Sequence, residues 1–157
     1  MQPKYSLPEI ERRWLVARNQ VQSLGVAPAR KIEDKYLSSG RLRLRAVSLS
    51  GAPTIIKLGK KYQRAKDEPE QVVTIYLTES EYVGLLALPG TSARKLRYAV
   101  AEGALDVYEF PECGSVIFEV EFGNEAHAAA YEPPNFDGEE VTHQAAFSGY
   151  ALAKNRL

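Results

Sequence analysis

The sequence predicts a mainly β (α+β) fold, with eight strands arranged as an antiparallel sheet or a closed barrel and a few helices beside it. Eight segments read as strands, most of them joined by short turns. Along several of them charge and apolar bulk alternate at period two, which puts the charged residues of a segment on one face. Those charged columns are sorted by sign. Acidic columns open and close the chain and basic columns lie between them, where a merely solvated face would mix signs.

Taken in order, residues 7–16 form the first strand, with Glu9, Glu11 and Arg13 in one column and Ile10 and Trp14 in the other. Strands disfavour Glu and Arg, so this column faces either water or a polar cavity. Ala17 to Arg30 carries no decisive pattern, and a short helix around Gln20 to Leu24 is the preferred reading. Strands over 31–37 and 41–48 flank the turn Ser38-Ser39-Gly40, and the second sets Arg41, Arg43 and Arg45 against Leu42 and Leu44. After Ser50-Gly51-Ala52-Pro53 comes a strand over 54–58 bearing Lys57, then a polar loop from Lys60 to Gln71. In the strand over 72–77, Thr74 and Tyr76 share one parity and should point the same way as the charged columns.

Thr78-Glu79-Ser80-Glu81 is a capping box for a helix through Tyr82, Leu85 and Leu86 that ends at Pro89-Gly90. Strands over 94–100, 104–110 and 116–122 carry Lys95 and Arg97, then Asp106, then Glu119 and Glu121. Turns at Glu102-Gly103 and Glu112-Cys113-Gly114 separate them. Asn124 to Tyr131 is a short helix stopped before Pro133-Pro134. Thr142 to about Arg156 is a last helix, weakened at Gly149 by roughly 1 kcal/mol.

Composition narrows the function. One domain spanning 1–157 is expected, with 45% apolar and 25% charged residues, an ordinary globular balance. Twenty basic side chains match twenty acidic ones, and a phosphate-backbone binder needs a basic surplus, so no nucleic-acid partner is expected. No apolar run approaches the roughly 20 residues of a membrane helix, and the N-terminus lacks a signal-peptide apolar core. A cytoplasmic location is the default, with Cys113 the single cysteine. His127 and His143, 16 positions apart and without a Cys partner, do not make a zinc site. Gly59-Lys60-Lys61 lacks the upstream glycine of a P-loop; its lysines read as a solvated loop from which Lys60 could reach a phosphate.

Two readings of the charged columns stay open on patterning alone. In an open sheet they are a solvated face with weak cross-strand pairs. In a closed sheet the out-of-phase set Ile10, Trp14, Leu42, Leu44, Leu96, Tyr98, Phe118, Val120 and Phe122 faces outward under the helices, and the charges line the inside. Enclosed charges must be paired, hydrated or liganded. The ligand that suits them is a polyanion with a divalent metal: Arg forks and Lys for phosphates, Glu for Mg²⁺ or Mn²⁺.

The segment Glu9-Ile10-Glu11-Arg12-Arg13 resembles the ExExK signature of the CYTH superfamily, the triphosphate tunnel metalloenzymes. The likeness extends in the family's order through Tyr36-Leu37, RLRLR, Lys57, KLRY, Leu105-Asp106-Val107-Tyr108, FEVEF and Glu140-Val141-Thr142. The resemblance implies an eight-stranded antiparallel β-barrel tunnel with flanking helices, binding a small-molecule triphosphate or polyphosphate with Mg²⁺ or Mn²⁺. It implies catalytic roles for Glu9, Glu11 and Arg13, phosphate binding by Arg43, Arg45, Lys57, Lys95 and Arg97, and metal ligation by Glu9, Glu11, Asp106, Glu119 and Glu121. The expected function is metal-dependent hydrolysis of a triphosphate. A noncatalytic polyphosphate- or nucleotide-binding module is the alternative, and ATP cyclisation by the same scaffold a third. Two departures bear on catalysis. Thr74-Ile75-Tyr76 stands where the family has a further Glu-x-Glu, and Arg13 stands where the signature has a Lys that a base role would require.

Overall fold

A computed structural model describes residues 3–24, 30–37, 41–63, 68–111, 114–136 and 138–154. The expected turn at Ser38-Ser39-Gly40, the Cys113 thiol and the end of the last expected helix lie outside the described residues. Among these are ten strands: β1 (Leu7–Glu9), β2 (Glu11–Val16), β3 (Arg30–Leu37), β4 (Leu42–Ser48), β5 (Ile55–Lys61), β6 (Glu70–Tyr76), β7 (Gly90–Val100), β8 (Gly103–Phe110), β9 (Val116–Glu121) and β10 (Gly138–Glu140). Three α-helices, α1 (Glu79–Leu86), α2 (Glu125–Ala130) and α3 (Gly149–Lys154), accompany them, with 3-10 turns at Arg18–Leu24 and Ala145–Phe147.

All pairings are antiparallel, in the order β1-β6-β5-β4-β3-β7-β8-β9-β2-β10. The sheet curls into a tunnel, yet its ladder is not the closed eight-stranded ring expected. The first expected strand breaks at Ile10. Its leading part pairs with β6, Leu7 opposite Val72, and its trailing part pairs with β9, Glu11 opposite Glu121. The chain itself thus links β1, at one end of the ladder, to β2, the last strand but one at the other. Pro8, which lacks an N–H, sits in the short edge strand where that loss is tolerated. The unexpected β10 adds outside β2, where Arg12 forks onto Glu140 at 2.8 and 2.7 Å and donates to the Ala128 and Tyr131 carbonyls at the end of α2.

Alternation decides which face is which. Trp14, Val16, Leu105, Val107, Val116, Phe118 and Val120 form the main core on the outer face of β2, β8 and β9, with Phe136 and Tyr131 laid over it. Phe118 is fully buried and makes an edge contact with Phe136 at 5.0 Å. Burial of such a ring contributes about 2–3 kcal/mol, so this face fixes the inward direction of Glu119 and Glu121. The capping box forms as expected: Glu81 N–H donates to Thr78, and Thr78 N–H donates to the Glu81 carboxylate at 2.8 Å. The last expected helix divides into the 3-10 turn, Ser148 and α3. Phe147 packs on Tyr108, Ile117, Val141 and Leu152, and Tyr150 packs on Tyr36 and Ala153.

Candidate active site

The inward columns meet in one cavity of about 450 Å³. Glu9, Glu11 and Arg13 line it from β1 and β2, Arg43 and Arg45 from β4, Lys95 and Arg97 from β7, and Glu119 and Glu121 from β9. Nine of the sequence-derived site residues therefore share one space. Register explains it: Arg13 lies opposite Glu119, Glu11 opposite Glu121, and Arg45 opposite both Asp34 and Lys57. Lys57 lies on this parity but does not line the cavity. Burial, with Arg45, Arg43 and Arg97 nearby, lowers the pKa of its ammonium group.

Two buried aspartates organise the cations. Arg45 donates through Nε and Nη2 to Asp34 at 2.6 and 2.8 Å, and Arg97 donates through the same two atoms to Asp106 at 2.6 and 2.7 Å. Lys95 also donates to Asp106. Burial alone would push both aspartates up. Arg45 outweighs it for Asp34, and Lys95 and Arg97 for Asp106, so both stay ionised well below the usual carboxylate range. Asp106, which the family resemblance makes a metal ligand, has both oxygens engaged by these cations and is 1% exposed. Arg43 differs from its neighbours. It lines the cavity and has no hydrogen-bond or ion-pair partner among the described residues.

The acidic wall is held by cations in turn. Lys61 pairs with Glu9, Arg13 Nε lies 3.4 Å from Glu11, and Arg97 Nη2 lies 3.1 Å from Glu119. Burial pushes the Glu11 carboxyl up to about 7, and the charges of Glu119 and Glu9 push the same way. Four carboxylates on one wall are the hard oxygen donors that Mg²⁺ or Mn²⁺ takes, and a divalent cation would relieve their repulsion. Among the described residues, however, no three His, Cys, Asp or Glu side chains stand close enough to hold a metal as arranged.

Several cavity residues were not singled out from the sequence. Lys61 reaches in, while Lys60 is exposed and lies 5.0 Å from the Tyr62 ring. Glu70 lines the cavity from β6 and pairs with Arg41 at 3.0 Å and with Lys61 at 3.6 Å. It supplies the β6 carboxylate whose lack was expected at Thr74 and Tyr76. Those two are exposed and lie outside the cavity lining, Tyr76 at 73%. Parity ran correctly along β6, but the strand carries that parity out of the tunnel. Tyr36 and Tyr108 complete the wall beside Ala145, Phe147, Ser148, Gly149 and Tyr150.

No protein-family model and no curated protein matches the sequence. Among solved structures, a crystal structure of NE1496 described as an inorganic triphosphatase is 28% identical, with a TM-score of 0.59 over 95% of this chain and 96% of that chain. Another structure of NE1496, described as a hypothetical protein, is 26% identical, with a TM-score of 0.62 over 95% of this chain and 99% of that chain. The chain therefore has a CYTH-like tunnel fold. The likeness runs nearly end to end, so the CYTH-like tunnel is carried by the whole chain and not by the acidic motif alone. Among the described residues no helix is long and apolar enough to cross a membrane.

Proposed function

We propose that the tunnel binds a triphosphate together with Mg²⁺ or Mn²⁺ and hydrolyses it. The substrate is inorganic tripolyphosphate or the triphosphate of a nucleotide or another organic molecule. One observation carries this reading: Arg43, a guanidinium without a partner among the described residues, lines a cavity whose neighbouring cations Arg45, Lys95 and Arg97 are already held in place by buried aspartates. A site prepared in that way loses little side-chain entropy on binding an anion, and each charge-assisted bond is strong. The description of NE1496, at 28% identity, as an inorganic triphosphatase supports hydrolysis.

In this reading Arg43, Arg45, Lys95 and Arg97 bind and orient the phosphates, with Lys57 and Arg41 contributing to the positive field. Glu9, Glu11, Glu119 and Glu121 would hold the metal, which requires Lys61 and Arg97 to ease away from Glu9 and Glu119. A bound divalent metal neutralises charge developing on the phosphoryl group and orients a water. Lining groups such as Phe147, Tyr108 and Ile117 exclude bulk water from the same space.

The test is phosphate release over a panel of triphosphates, with and without Mg²⁺ and Mn²⁺, beside calorimetric titration of tripolyphosphate. Metal-dependent release establishes the hydrolase, and cyclic AMP formation from ATP would establish the cyclase instead. A second reading, binding without turnover, has its own support: Arg13 spends Nη1 and Nη2 on the Phe147 and Thr142 carbonyls, and among the described residues every carboxylate lining the cavity but Glu121 is paired with a cation. Tight titration with no phosphate release would establish it.

A further inference from the structure

Tyr76 shares the parity of Glu70 along β6 yet stands beyond the cavity, and the ladder fixes what it stands beside. Arg45 on β4 lies opposite Lys57 on β5, and Lys57 lies opposite Tyr76 on β6, so the three make one row across the sheet. Two strand spacings, about 10 Å, separate the cavity-lining Arg45 from Tyr76. Lys57 fills the middle of that row, its ammonium 5.8 Å from the centre of the Tyr76 ring and within the field of Arg45, Arg43, Arg97 and Glu121. The adjoining row is bare. Arg43 lies opposite Gly59, and Gly59 opposite Thr74. A Cβ at Gly59 would come no closer than 3.8 Å to Thr74 Oγ1 and 3.9 Å to the Arg43 carbonyl oxygen, so there is room for a side chain and none fills it. A strip of open backbone therefore runs from Arg43 to the end of β6, where Tyr76 is 73% exposed.

We propose that Tyr76 is a specificity-determining residue: a stacking platform for the base of a nucleoside triphosphate whose phosphates lie against Arg43 and Arg45, making a contact that bare tripolyphosphate does not make. This rests on the triphosphate reading above. An ammonium against the ring restrains it through the ring's negative face and leaves the opposite face for a second flat group. Stacking on such a face tolerates any base, because every base presents a π surface. Lys57 stands between phosphates and ring, where the α-phosphate and the ribose would lie. Gly59 offers no side chain and Tyr76 a single hydroxyl, so the platform reads flatness and area instead of a base edge. Purines should gain more from it than pyrimidines.

The experiment is metal-free calorimetry with inorganic tripolyphosphate, ATP and UTP on wild type, Y76F, Y76A and G59V. Thermal denaturation of each variant checks the fold, which an exposed position such as Tyr76 should hardly affect. Y76A should weaken ATP binding about tenfold and UTP binding by less, and leave tripolyphosphate within about twofold of wild type. Y76F keeps the ring and should match wild type within about twofold for all three ligands. G59V fills the open strip while keeping Tyr76 and every cation, so it should weaken ATP as Y76A does and again spare tripolyphosphate. The inference is overturned, with the triphosphate reading intact, if wild type binds tripolyphosphate and Y76A weakens all three ligands alike or none of them. Behaviour of Y76F like that of Y76A would also overturn it, since the hydroxyl and not the ring would then be the contact. If wild type binds none of the three ligands, the triphosphate reading has failed and this inference falls with it.

Discussion

Asp34 on β3 and Arg45 on β4 stand directly opposite each other and are joined by two hydrogen bonds, 2.6 Å from Nε and 2.8 Å from Nη2, with 4% and 12% of their side chains exposed. Both charges are therefore removed from water and depend on each other. Breaking such a pair from one side is costly, about 3–5 kcal/mol, because it strands the other charge. Asp34→Asn should lower unfolding free energy on that scale, measured by urea denaturation at pH 7. Anion affinity should hold or rise, since the variant removes a negative charge behind the phosphate site. Loss of tripolyphosphate binding in a folded variant would mean that Arg45 needs the fork for its orientation.

Arg43 behaves oppositely because it has no partner among the described residues to strand. Arg43→Ala should weaken tripolyphosphate binding by about 1.5–3 kcal/mol, the scale of a charge-assisted hydrogen bond. Its midpoint of denaturation should stay where it is or rise, as one of several crowded cations has gone. Calorimetry and denaturation on the same preparation check both halves, and unchanged affinity would remove β4 from the phosphate site.

Glu11 gives the tunnel a pH dependence whose sign is fixed. Its carboxyl is raised to about 7 from an ordinary 4.5, by burial first and by Glu119 and Glu9 next. A raised acid favours the protonated folded form. The metal-free protein should therefore lose stability as pH rises from about 4.5 to 7, with the penalty fully present above 7, up to roughly 3 kcal/mol. Glu11→Gln should remove that slope and be the more stable protein at pH 8. Denaturation at pH 5 and pH 8 for both proteins decides it; parallel curves would mean that Glu11 titrates normally.

Much of this was legible in the sequence, and the reasons are local. Period two in Glu9-Ile10-Glu11, in Arg43-Leu44-Arg45 and in Glu119-Val120-Glu121 fixes which side chains point inward once one face carries Trp14, Leu44 and Phe118. The illegible parts depend on partners far along the chain. Residues 60–71 are polar and read as a loop, yet Lys61 and Glu70 belong to strands because β5 pairs with β6, Lys61 opposite Val72. Gly138-Glu139-Glu140 has no strand pattern at all and is made a strand by β2 and by the fork from Arg12. Asp106 came from the family resemblance as a metal ligand; its burial beneath Lys95 and Arg97, which engage both its oxygens, is invisible in one dimension. The break at Ile10, which leaves the ladder open, also follows from pairing with two different strands and from nothing in the residues 7–16 themselves.

Glu70 yields the last prediction. It is the only β6 carboxylate on the cavity wall among the described residues, and it faces Arg41 and Lys61 with about a third of its side chain exposed. Exposed pairs of this kind contribute at most about 1 kcal/mol, so Glu70→Gln should fold almost as well as wild type. Its effect should fall on ligands. Freed from Glu70, Arg41 and Lys61 turn their charge to the cavity, and metal-free tripolyphosphate should bind about threefold to tenfold more tightly. The gain from added Mg²⁺ or Mn²⁺ should shrink, because a carboxylate beside Glu9 has gone. Thr74→Glu and Tyr76→Glu, exposed and outside the cavity, should change neither quantity. Titrations of the three variants with and without metal separate the alternatives. A metal gain in Thr74→Glu, with Glu70→Gln silent, would move the β6 contribution back to the position at which the sequence motif first put it.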